Sequence, residues 1–234
     1  MDRLSASVLI VGMGGLGCPV ALTLVQAGVK RLTLMDPDRV DVSNLHRQLW
    51  FRTADVGQLK VDAAAARIKA TFSGISIRTW AKSLEKDNAF SAFKGHDLAI
   101  DGTDRIDSKF LLSDLAVRTG IPVVFGGVLR MTGHAMLIRP PGPCLRCLFE
   151  EPPSLNAIPS CSSAGVLGSV PGVIGTLQGI LALSALRGEA LPSELMVFEA
   201  GGLTQRFVAV PKRADCMCAG IAAPRASTSA EVPA

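Results

Sequence analysis

A glycine-rich turn near the start of the chain constrains the fold more than any other feature. The segment Gly12-Met13-Gly14-Gly15-Leu16-Gly17 follows a short apolar strand, Ser7–Val11, and opens a helical pattern from about Leu16 to Ala27. Spaced glycines at such a junction permit a tight turn and let the backbone approach a phosphate at the helix N-terminus. A purely structural turn is the alternative, but glycines weaken the start of a helix. The pattern therefore predicts nucleotide binding at Gly12, Gly14, Gly15 and Gly17.

Strand and helix patterns alternate over the first 125 residues. The predicted strands are Ser7–Val11, Arg31–Met35, Ile75–Thr79, Leu98–Ile100 and Pro122–Phe125, and the later helices are Lys60–Ala70 and Ile106–Thr119. Strands that are apolar on both faces, with helices between them, are typical of a parallel sheet covered by helices.

The pattern changes after Gly127. Val128–Ile138 predicts a strand that continues into an antiparallel neighbour, and two short strands, Leu195–Phe198 and Phe207–Val210, follow later. We therefore expect an α/β, Rossmann-like fold in which antiparallel strands extend the parallel sheet into a mixed sheet, with helices on both faces. Residues 1–218 should form a single domain, Ser154–Ser163 a mobile loop, and residues 219–234 a disordered tail rich in Ala, Pro and Ser.

Composition excludes several classes of protein. The 234 residues are 48% hydrophobic and 19% charged, which argues against disorder and coiled coil. A net charge of +4, with no Lys or Arg run longer than two residues, argues against nucleic-acid binding. Val166 to Leu186 is apolar and long enough to span a bilayer, but four glycines, Pro171 and Gln178 interrupt it, and a fifth glycine, Gly165, precedes it. We expect a buried helix, no membrane contact and, because no signal peptide is visible, a cytoplasmic protein.

Charged residues beyond the turn indicate which nucleotide is bound. Asp36 ends the second strand, 19 residues after Gly17, where a carboxylate can accept hydrogen bonds from ribose hydroxyls, and Asp38 follows it. This arrangement alone suits NAD and hence an NAD(P)-dependent oxidoreductase. Arg47 and Lys60 have no evident use in hydride transfer, but they suit a polyphosphate, whose charge two cations neutralise. Either cation taken alone is explained as an ordinary surface residue.

Two aspartates follow the strand Leu98–Ile100. Asp101 and Asp104 come at the carboxyl end of a parallel strand, where open α/β sheets bind their ligands. A carboxylate beside a polyphosphate is the usual ligand of Mg²⁺, and Asp104 is the better candidate for it. The alternative is a helix cap, since Thr103 or Asp104 can cap the helix that follows.

The six cysteines divide into two pairs and two single residues. Cys144 and Cys147 form a C-x-x-C hook, Cys216 and Cys218 a second pair, and together they can build a closed tetrahedral zinc site. Cys18 is explained as a small buried residue. Cys161 precedes an apolar helix in a polar loop, where an exposed thiol can have a lowered pKa.

These motifs together resemble the ThiF/MoeB/HesA family, the bacterial relatives of ubiquitin-activating enzymes. The resemblance runs from about Ser7 to Gly220 and includes the glycine turn, Asp36, Ser43–Gln48, Lys60, the Asp101–Asp104 segment and the cysteine pairs. It implies that ATP activates the C-terminal Gly-Gly carboxylate of a ubiquitin-like sulfur carrier, giving an acyl-adenylate and pyrophosphate. The pathway would be thiamin, molybdopterin or related sulfur biosynthesis, with a homodimeric enzyme and a sulfurtransferase as a further partner.

The resemblance also implies a role for each matching residue. Asp36 would bind the ribose, Gly14 would lie near the phosphates, and Arg47 and Lys60 would stabilise the transferring phosphate. Asn44 and Gln48 would support these cations, Asp104 would hold Mg²⁺, and the cysteine pairs would hold structural zinc. Cys161 aligns with a loop cysteine that some members use for a covalent link during sulfur transfer.

Three departures from the family pattern matter. The second pair is C-x-C where the family has C-x-x-C, so Cys218 is expected either to complete a distorted site or to give way to water or Asp215. Only six residues precede Ser7, so the arginine of the family's N-terminal helix has no match; another cation substitutes, activity is lower, or the sequence is truncated. Arg105 stands where the family has asparagine and is the candidate substitute. A degenerate homologue that binds the carrier without activating it remains the other alternative.

Overall fold

Eight strands form one mixed sheet. The computed structural model describes residues 5–152 and 165–220. The strand order is β3-β2-β1-β4-β5-β6-β7-β8; β1 to β5 are parallel, and β5 to β8 pair antiparallel. The strands are β1 (Ser7–Val11), β2 (Arg31–Met35), β3 (Ser76–Trp80), β4 (Leu98–Asp101), β5 (Val123–Leu129), β6 (Thr132–Ile138), β7 (Glu194–Glu199) and β8 (Thr204–Ala209). The predicted mixed sheet is confirmed.

Helices cover both faces of this sheet. They are α1 (Gly17–Gln26), α2 (Lys60–Thr71), α3 (Ala89–Phe93), α4 (Ile106–Thr119), α5 (Leu145–Leu148) and α6 (Ser169–Leu186). Alternation along β1 divides the core, because neighbouring strand residues point to opposite faces. Leu9 packs with residues of α3, α4 and α5, whereas Ile10 packs with residues of α1 and α2. The short helices α3 and α5 were not predicted from the sequence.

The apolar helix α6 packs closely on α1. A Cβ added to Gly175 would lie 2.4 Å from the carbonyl oxygen of Leu16, and one added to Gly179 would lie 2.6 Å from Thr23 Cβ. Two of the glycines that interrupt the apolar run, Gly175 and Gly179, are therefore points of close contact between α6 and α1. By length and composition alone α6 is apolar enough to cross a membrane, but a single helix of this kind is only weak evidence for a membrane span. Its inner face is buried against α1 and the sheet, and 39% of the helix is buried in all.

The predicted strand Val128–Ile138 is broken by a tight turn. β5 ends at Leu129, Arg130 adopts φ +55°, and β6 returns from Thr132. A positive φ is rare outside glycine and marks a reversal of the chain. Two of the sequence predictions, the loop Ser154–Ser163 and the tail beyond residue 220, lie outside the described residues.

Candidate active site

The glycine turn connects β1 to α1 at the carboxyl edge of the parallel strands. Gly12 has φ +90°, and its N–H donates to the carbonyl of Met35 at the end of β2 (2.7 Å). A Cβ on Gly17 would lie 1.9 Å from the carbonyl oxygen of Gly12, and one on Gly12 would lie 2.6 Å from the carbonyl of Gly102. These two glycines are therefore required for the backbone of the turn to close against the loop after β4.

Asp36 joins the turn to the end of β2. Its Oδ2 accepts from the N–H of Met13 (2.7 Å), its Oδ1 accepts from the N–H of Asp38 (2.8 Å), and the residue is only 6% exposed. Burial raises the pKa of this carboxyl, while the nearby positive charge of Lys60 and the two N–H donors lower it in part. Asp36 thus offers a nearly buried acceptor beside the glycine turn, which is the position of a ribose-binding carboxylate.

Lys60 lies at the start of α2 and points to the same edge. Its Nζ pairs with Asp38 Oδ2 at 2.8 Å, and its N–H donates to the carbonyl of Asp38 (2.9 Å). Lys60 is 5% exposed, whereas the Asp38 side chain is 62% exposed. Since an ammonium is almost never buried unless it is paired, Asp38 keeps the Lys60 charge in place.

Arg47, Asn44 and Gln48 form one hydrogen-bonded group against the glycine turn. Arg47 Nη2 and Gln48 Nε2 both donate to Asn44 Oδ1, at 2.7 and 3.3 Å. A Cβ on Gly14 would lie 3.3 Å from Gln48 Nε2, and one on Gly15 would lie 2.9 Å from the carbonyl oxygen of Arg47. Gln48 Oε1 is buried and has no partner among the described residues. The segment that carries the predicted cation therefore contacts the predicted phosphate-binding turn.

The two aspartates after β4 have different surroundings. Asp101 is 1% exposed, and its oxygens accept from the N–H and hydroxyl of Thr103 and from Lys109 Nζ (3.0 Å). Asp104 is exposed, and within residues 5–152 and 165–220 its carboxylate has no hydrogen-bond or ion-pair partner. The helix-cap alternative is not seen, because Arg105 is the N-cap residue of α4 and no side chain caps it. The Asp101 carboxylate is thus already bound by groups of the protein, whereas the Asp104 carboxylate is available to bind a metal ion.

The four paired cysteines meet in one cluster. Their Sγ atoms all lie within 4.8 Å of one another, with Cys144 to Cys216 at 3.5 Å and Cys147 to Cys218 at 3.4 Å. Zinc bound tetrahedrally by thiolates at about 2.3 Å separates its sulfur ligands by a similar distance. Cys218 is 1% exposed and belongs to the cluster despite the C-x-C spacing, while Asp215 pairs with Arg213 instead. The cysteine set fits a metal such as zinc.

The cysteine cluster is fixed to α4. The N–H of Leu145 donates to Ser113 Oγ (3.0 Å), and Arg146 forms a two-pronged ion pair with Asp114 at 2.8 and 2.9 Å. Burial raises the pKa of the Cys144 thiol, and raises that of Cys218 to about 11. A bound metal ion would overcome this effect, since it deprotonates its thiol ligands.

Two residues at the edge of the site were missed from the sequence. Lys109 contacts the Asp101–Asp104 segment, and Gln178 on α6 donates to the carbonyls of Asp101 (2.8 Å) and Val124 (3.2 Å). A sequence signal existed for Gln178, because it is a polar residue inside an apolar helix. Lys109 had no such signal beyond its place on the helix that follows Asp104. Arg105 is exposed next to Asp104. Cys161 lies outside the described residues.

Comparison with known proteins identifies named relatives of this chain. The sulfur carrier protein adenylyltransferase of Thermus thermophilus is 38% identical over 223 residues, which cover 92% of this chain and 82% of the relative. The adenylyltransferase and sulfurtransferase MOCS3 of Aedes aegypti is 38% identical over 215 residues, covering 90% of this chain but only 49% of the relative. The predicted class of enzyme is confirmed, since these relatives are named adenylyltransferases.

The fold is also that of solved structures. The crystal structure of E. coli MccB with ATP superposes with a TM-score of 0.82 at 19% identity, over 94% of this chain and 68% of that one. The ThiF family profile matches residues 2–219. Because that match spans nearly the whole length and a relative is 38% identical, the resemblance seen in the motifs is confirmed, and this chain belongs to the ThiF family.

Proposed function

We propose that this protein uses ATP to adenylate the C-terminal glycine carboxylate of a ubiquitin-like sulfur carrier. The observation that carries the proposal is that two cation-bearing segments lie beside the glycine turn. The carbonyl of Arg47 lies against Gly15, and Lys60 pairs with Asp38, whose N–H donates to the same Asp36 carboxylate that binds the N–H of Met13 in the turn. A hydride-transfer enzyme needs no such pair of cations. An enzyme that transfers a phosphate group of ATP needs them, because negative charge develops on the oxygens of that phosphate during the reaction.

In this proposal each polar group has one task. Asp36 accepts the ribose hydroxyls, and the N–H groups at the helix end of the glycine turn, around Gly14 and Gly15, face the phosphates. The carrier carboxylate attacks the α-phosphorus, a new C–O–P bond forms, and the bond from that phosphorus to the β-phosphate oxygen breaks. Pyrophosphate leaves, and Arg47 and Lys60 stabilise the negative charge on the phosphate oxygens. Asn44 keeps Arg47 in place by accepting its hydrogen bond, and Gln48 supports this arrangement by donating to the same Asn44 oxygen.

Mg²⁺ would be held by Asp104. Its exposed carboxylate at the carboxyl end of β4 has the oxygen chemistry that Mg²⁺ prefers, and Mg²⁺ is usually bound by one or two carboxylates together with substrate phosphates. When bound, the ion would neutralise charge on the leaving pyrophosphate. The side chain of Asp101 holds the loop.

The carrier would dock beside the nucleotide site. Turns of the antiparallel strands lie at the same edge of the sheet, since β5 is parallel to β4 and ends there. Three apolar residues near these turns are exposed: Met131 (45%), Leu167 (47%) and Leu203 (83%). Exposed apolar groups clustered in this way are typical of a protein-binding surface.

Structural zinc, a homodimer and a sulfurtransferase partner complete the proposal. Four clustered thiols suit zinc, and a closed four-thiolate site stabilises the fold. Val173 and Ile180, 38% and 50% exposed, form an apolar stripe on the outer face of α6 that a second copy would cover. The name of the MOCS3 relative includes sulfurtransferase, an activity that we assign to a partner acting after adenylation, in the cytoplasm.

The deciding experiment is carrier-dependent ATP–pyrophosphate exchange. Purified protein with MgATP, labelled pyrophosphate and a small carrier ending in Gly-Gly should form labelled ATP, and a carrier that lacks the last glycine should not support exchange. Carrier binding without exchange would contradict the proposal and favour a degenerate homologue. Stabilisation by NAD but not by ATP in thermal unfolding would favour an oxidoreductase.

A Cys161 variant separates activation from sulfur transfer. Cys161→Ala should exchange pyrophosphate at the wild-type rate, because adenylation needs no thiol nucleophile. A covalent role for Cys161 would instead appear as loss of a thioester or disulfide-linked species between enzyme and carrier.

A further inference from the structure

We propose that Lys109 is a positioning residue, which holds the segment Asp101–Asp104 so that Asp104 faces the nucleotide phosphates. The proposal rests on the function proposed above, in which Asp104 binds Mg²⁺. It goes beyond that function by assigning a role to a residue on α4 whose side chain points back under the loop.

The ammonium of Lys109 is surrounded by oxygen atoms of three residues. Nζ lies 3.0 Å from Asp101 Oδ2 and 2.6 Å from the carbonyl oxygen of Thr103, and it also donates to the carbonyl of Gly126 on β5. The Phe125 ring lies 5.2 Å away on another side. Lys109 has three N–H donors, so these three acceptors satisfy it completely.

The contact with Thr103 is the one that reaches Asp104. The Thr103 carbonyl belongs to the peptide group whose nitrogen is that of Asp104, so Lys109 fixes the plane of the peptide that leads into the metal-binding residue. Asp101, 1% exposed, supplies the opposite charge and also binds the N–H and hydroxyl of Thr103. The loop therefore surrounds one largely buried cation, whose side chain is 13% exposed.

The rest of the loop is held by close packing. A Cβ on Gly102 would lie 2.7 Å from the carbonyl oxygen of Gly12 in the glycine turn, and Gln178 holds the Asp101 carbonyl from α6. These contacts fix the start of the loop only. Among the described residues, Lys109 is the side chain that binds the Thr103 carbonyl, in the peptide group that leads into Asp104.

A buried ion pair can also serve stability alone, and the two roles predict different kinetics. If Lys109 serves stability alone, replacing it lowers the melting temperature but leaves kcat of the folded enzyme unchanged. A positioning role lowers kcat in fully folded protein, because a displacement of about 1 Å at a reacting centre can cost about 100-fold in rate.

The test compares Lys109→Met, Lys109→Arg and the exposed control Lys94→Met in pyrophosphate exchange, well below each melting temperature. We expect Lys109→Met to lower kcat about 100-fold with KM for ATP within about threefold, and Lys109→Arg to recover activity to within about tenfold of wild type. Lys94→Met should match wild type, because Lys94 lies just before β4, at the opposite edge of the sheet. A kcat within threefold of wild type for folded Lys109→Met would overturn the proposal.

Two further measurements keep the test decisive. Removing one partner of a buried pair is strongly destabilising, so the variant Asp101→Asn with Lys109→Met restores charge balance; it should regain the melting temperature but not the rate. Recovery of both would refute the positioning role.

Mn²⁺ binding in the presence of ATP, followed by electron paramagnetic resonance without any carrier, should weaken about tenfold in Lys109→Met. Unchanged binding would also overturn the proposal. Wild-type protein that binds Mn²⁺ and ATP but does not exchange pyrophosphate would count against the carrier reaction, not against Lys109.

Discussion

The proposed nucleotide site and the cysteine cluster are both assembled from residues far apart in the sequence, but the first is open to solvent and the second is mostly buried. The nucleotide site combines the glycine turn, Asp36–Asp38, Asn44–Gln48, Lys60 and Asp101–Asp104, and it leaves Asp38 and Asp104 exposed. The cysteine cluster combines only two short segments, and three of its four cysteines are buried. An open site with free charge suits chemistry, whereas a closed site with satisfied ligands suits stability. Variants in the two regions should therefore fail in different ways.

The largest expected effect is at the open site. Asp104→Ala should lower carrier-dependent exchange at least about 1000-fold, because it removes the carboxylate assigned to Mg²⁺. The melting temperature should hardly change, since Asp104 is exposed and lacks a partner among the described residues. Asp107→Ala, another exposed carboxylate three residues on, is the matched control. Exchange at the wild-type rate in Asp104→Ala would refute the magnesium assignment.

The closed site should show the opposite behaviour. Cys218→Ser should lose zinc and stability, since the loss of a metal present at about 100 times its Kd costs about 2.7 kcal/mol. For a chain of this size that is a fall of roughly 5–10 °C in melting temperature. Metal analysis and thermal unfolding measure both, with Cys18→Ala as the control that keeps its zinc. A Cys218→Ser protein with full zinc content would show that the C-x-C pair does not close the site.

A third prediction concerns the buried carboxylate. Asp36→Asn should raise KM for ATP about 10- to 150-fold, the equivalent of a lost charge-assisted hydrogen bond of about 1.5–3 kcal/mol. Burial raises the pKa of Asp36, and the ionised carboxylate binds ribose best. As the pH is lowered, KM for ATP of the wild type should therefore begin to rise at a higher pH than an ordinary aspartate would cause. That increase should be absent from Asp36→Asn. An identical pH profile in the two proteins would remove Asp36 from ribose binding.

The smallest expected effect tests whether the two regions are linked. α4 begins next to Asp104, and its Asp114 binds Arg146 inside the C-x-x-C hook. Arg146→Ala should cost about 1 kcal/mol of stability, as expected for a partly exposed ion pair, and leave kcat within about twofold. Denaturant unfolding and exchange assays on Arg146→Ala, Asp114→Ala and the double variant measure the coupling. A tenfold fall in kcat with bound zinc would show that the cluster controls the nucleotide site through α4.

Local patterns were enough to predict most of the fold. The strand Arg31–Met35 and the helix Ile106–Thr119 have the predicted bounds, because each is an uninterrupted pattern with clear breaks on both sides. The glycine turn likewise follows from sequence, since its glycines are needed by the backbone itself. The turn at Arg130 was missed because a non-glycine residue adopts a positive φ there, which no local signal announces.

The different surroundings of the two aspartates became visible only in the contacts across the chain. The sequence already favoured Asp104 over Asp101 as the magnesium ligand, and the structure adds the physical difference: Asp101 pairs with Lys109, whereas Asp104 is exposed. The same holds for Cys218, whose Sγ meets that of Cys147 across 71 residues at 3.4 Å. Spacing along the chain cannot predict such distances, because they depend on how the intervening elements pack.

By itself the sequence determined the order of strands and helices, the kind of turn after β1 and the chemical types gathered for nucleotide and metal, since these depend on backbone requirements and hydrophobic periodicity. The tertiary structure alone decided which charges neutralise one another and which remain available. A buried charge needs a partner, and that partner is supplied by whichever element packs nearby: Asp38 for Lys60, and Asp101 for Lys109.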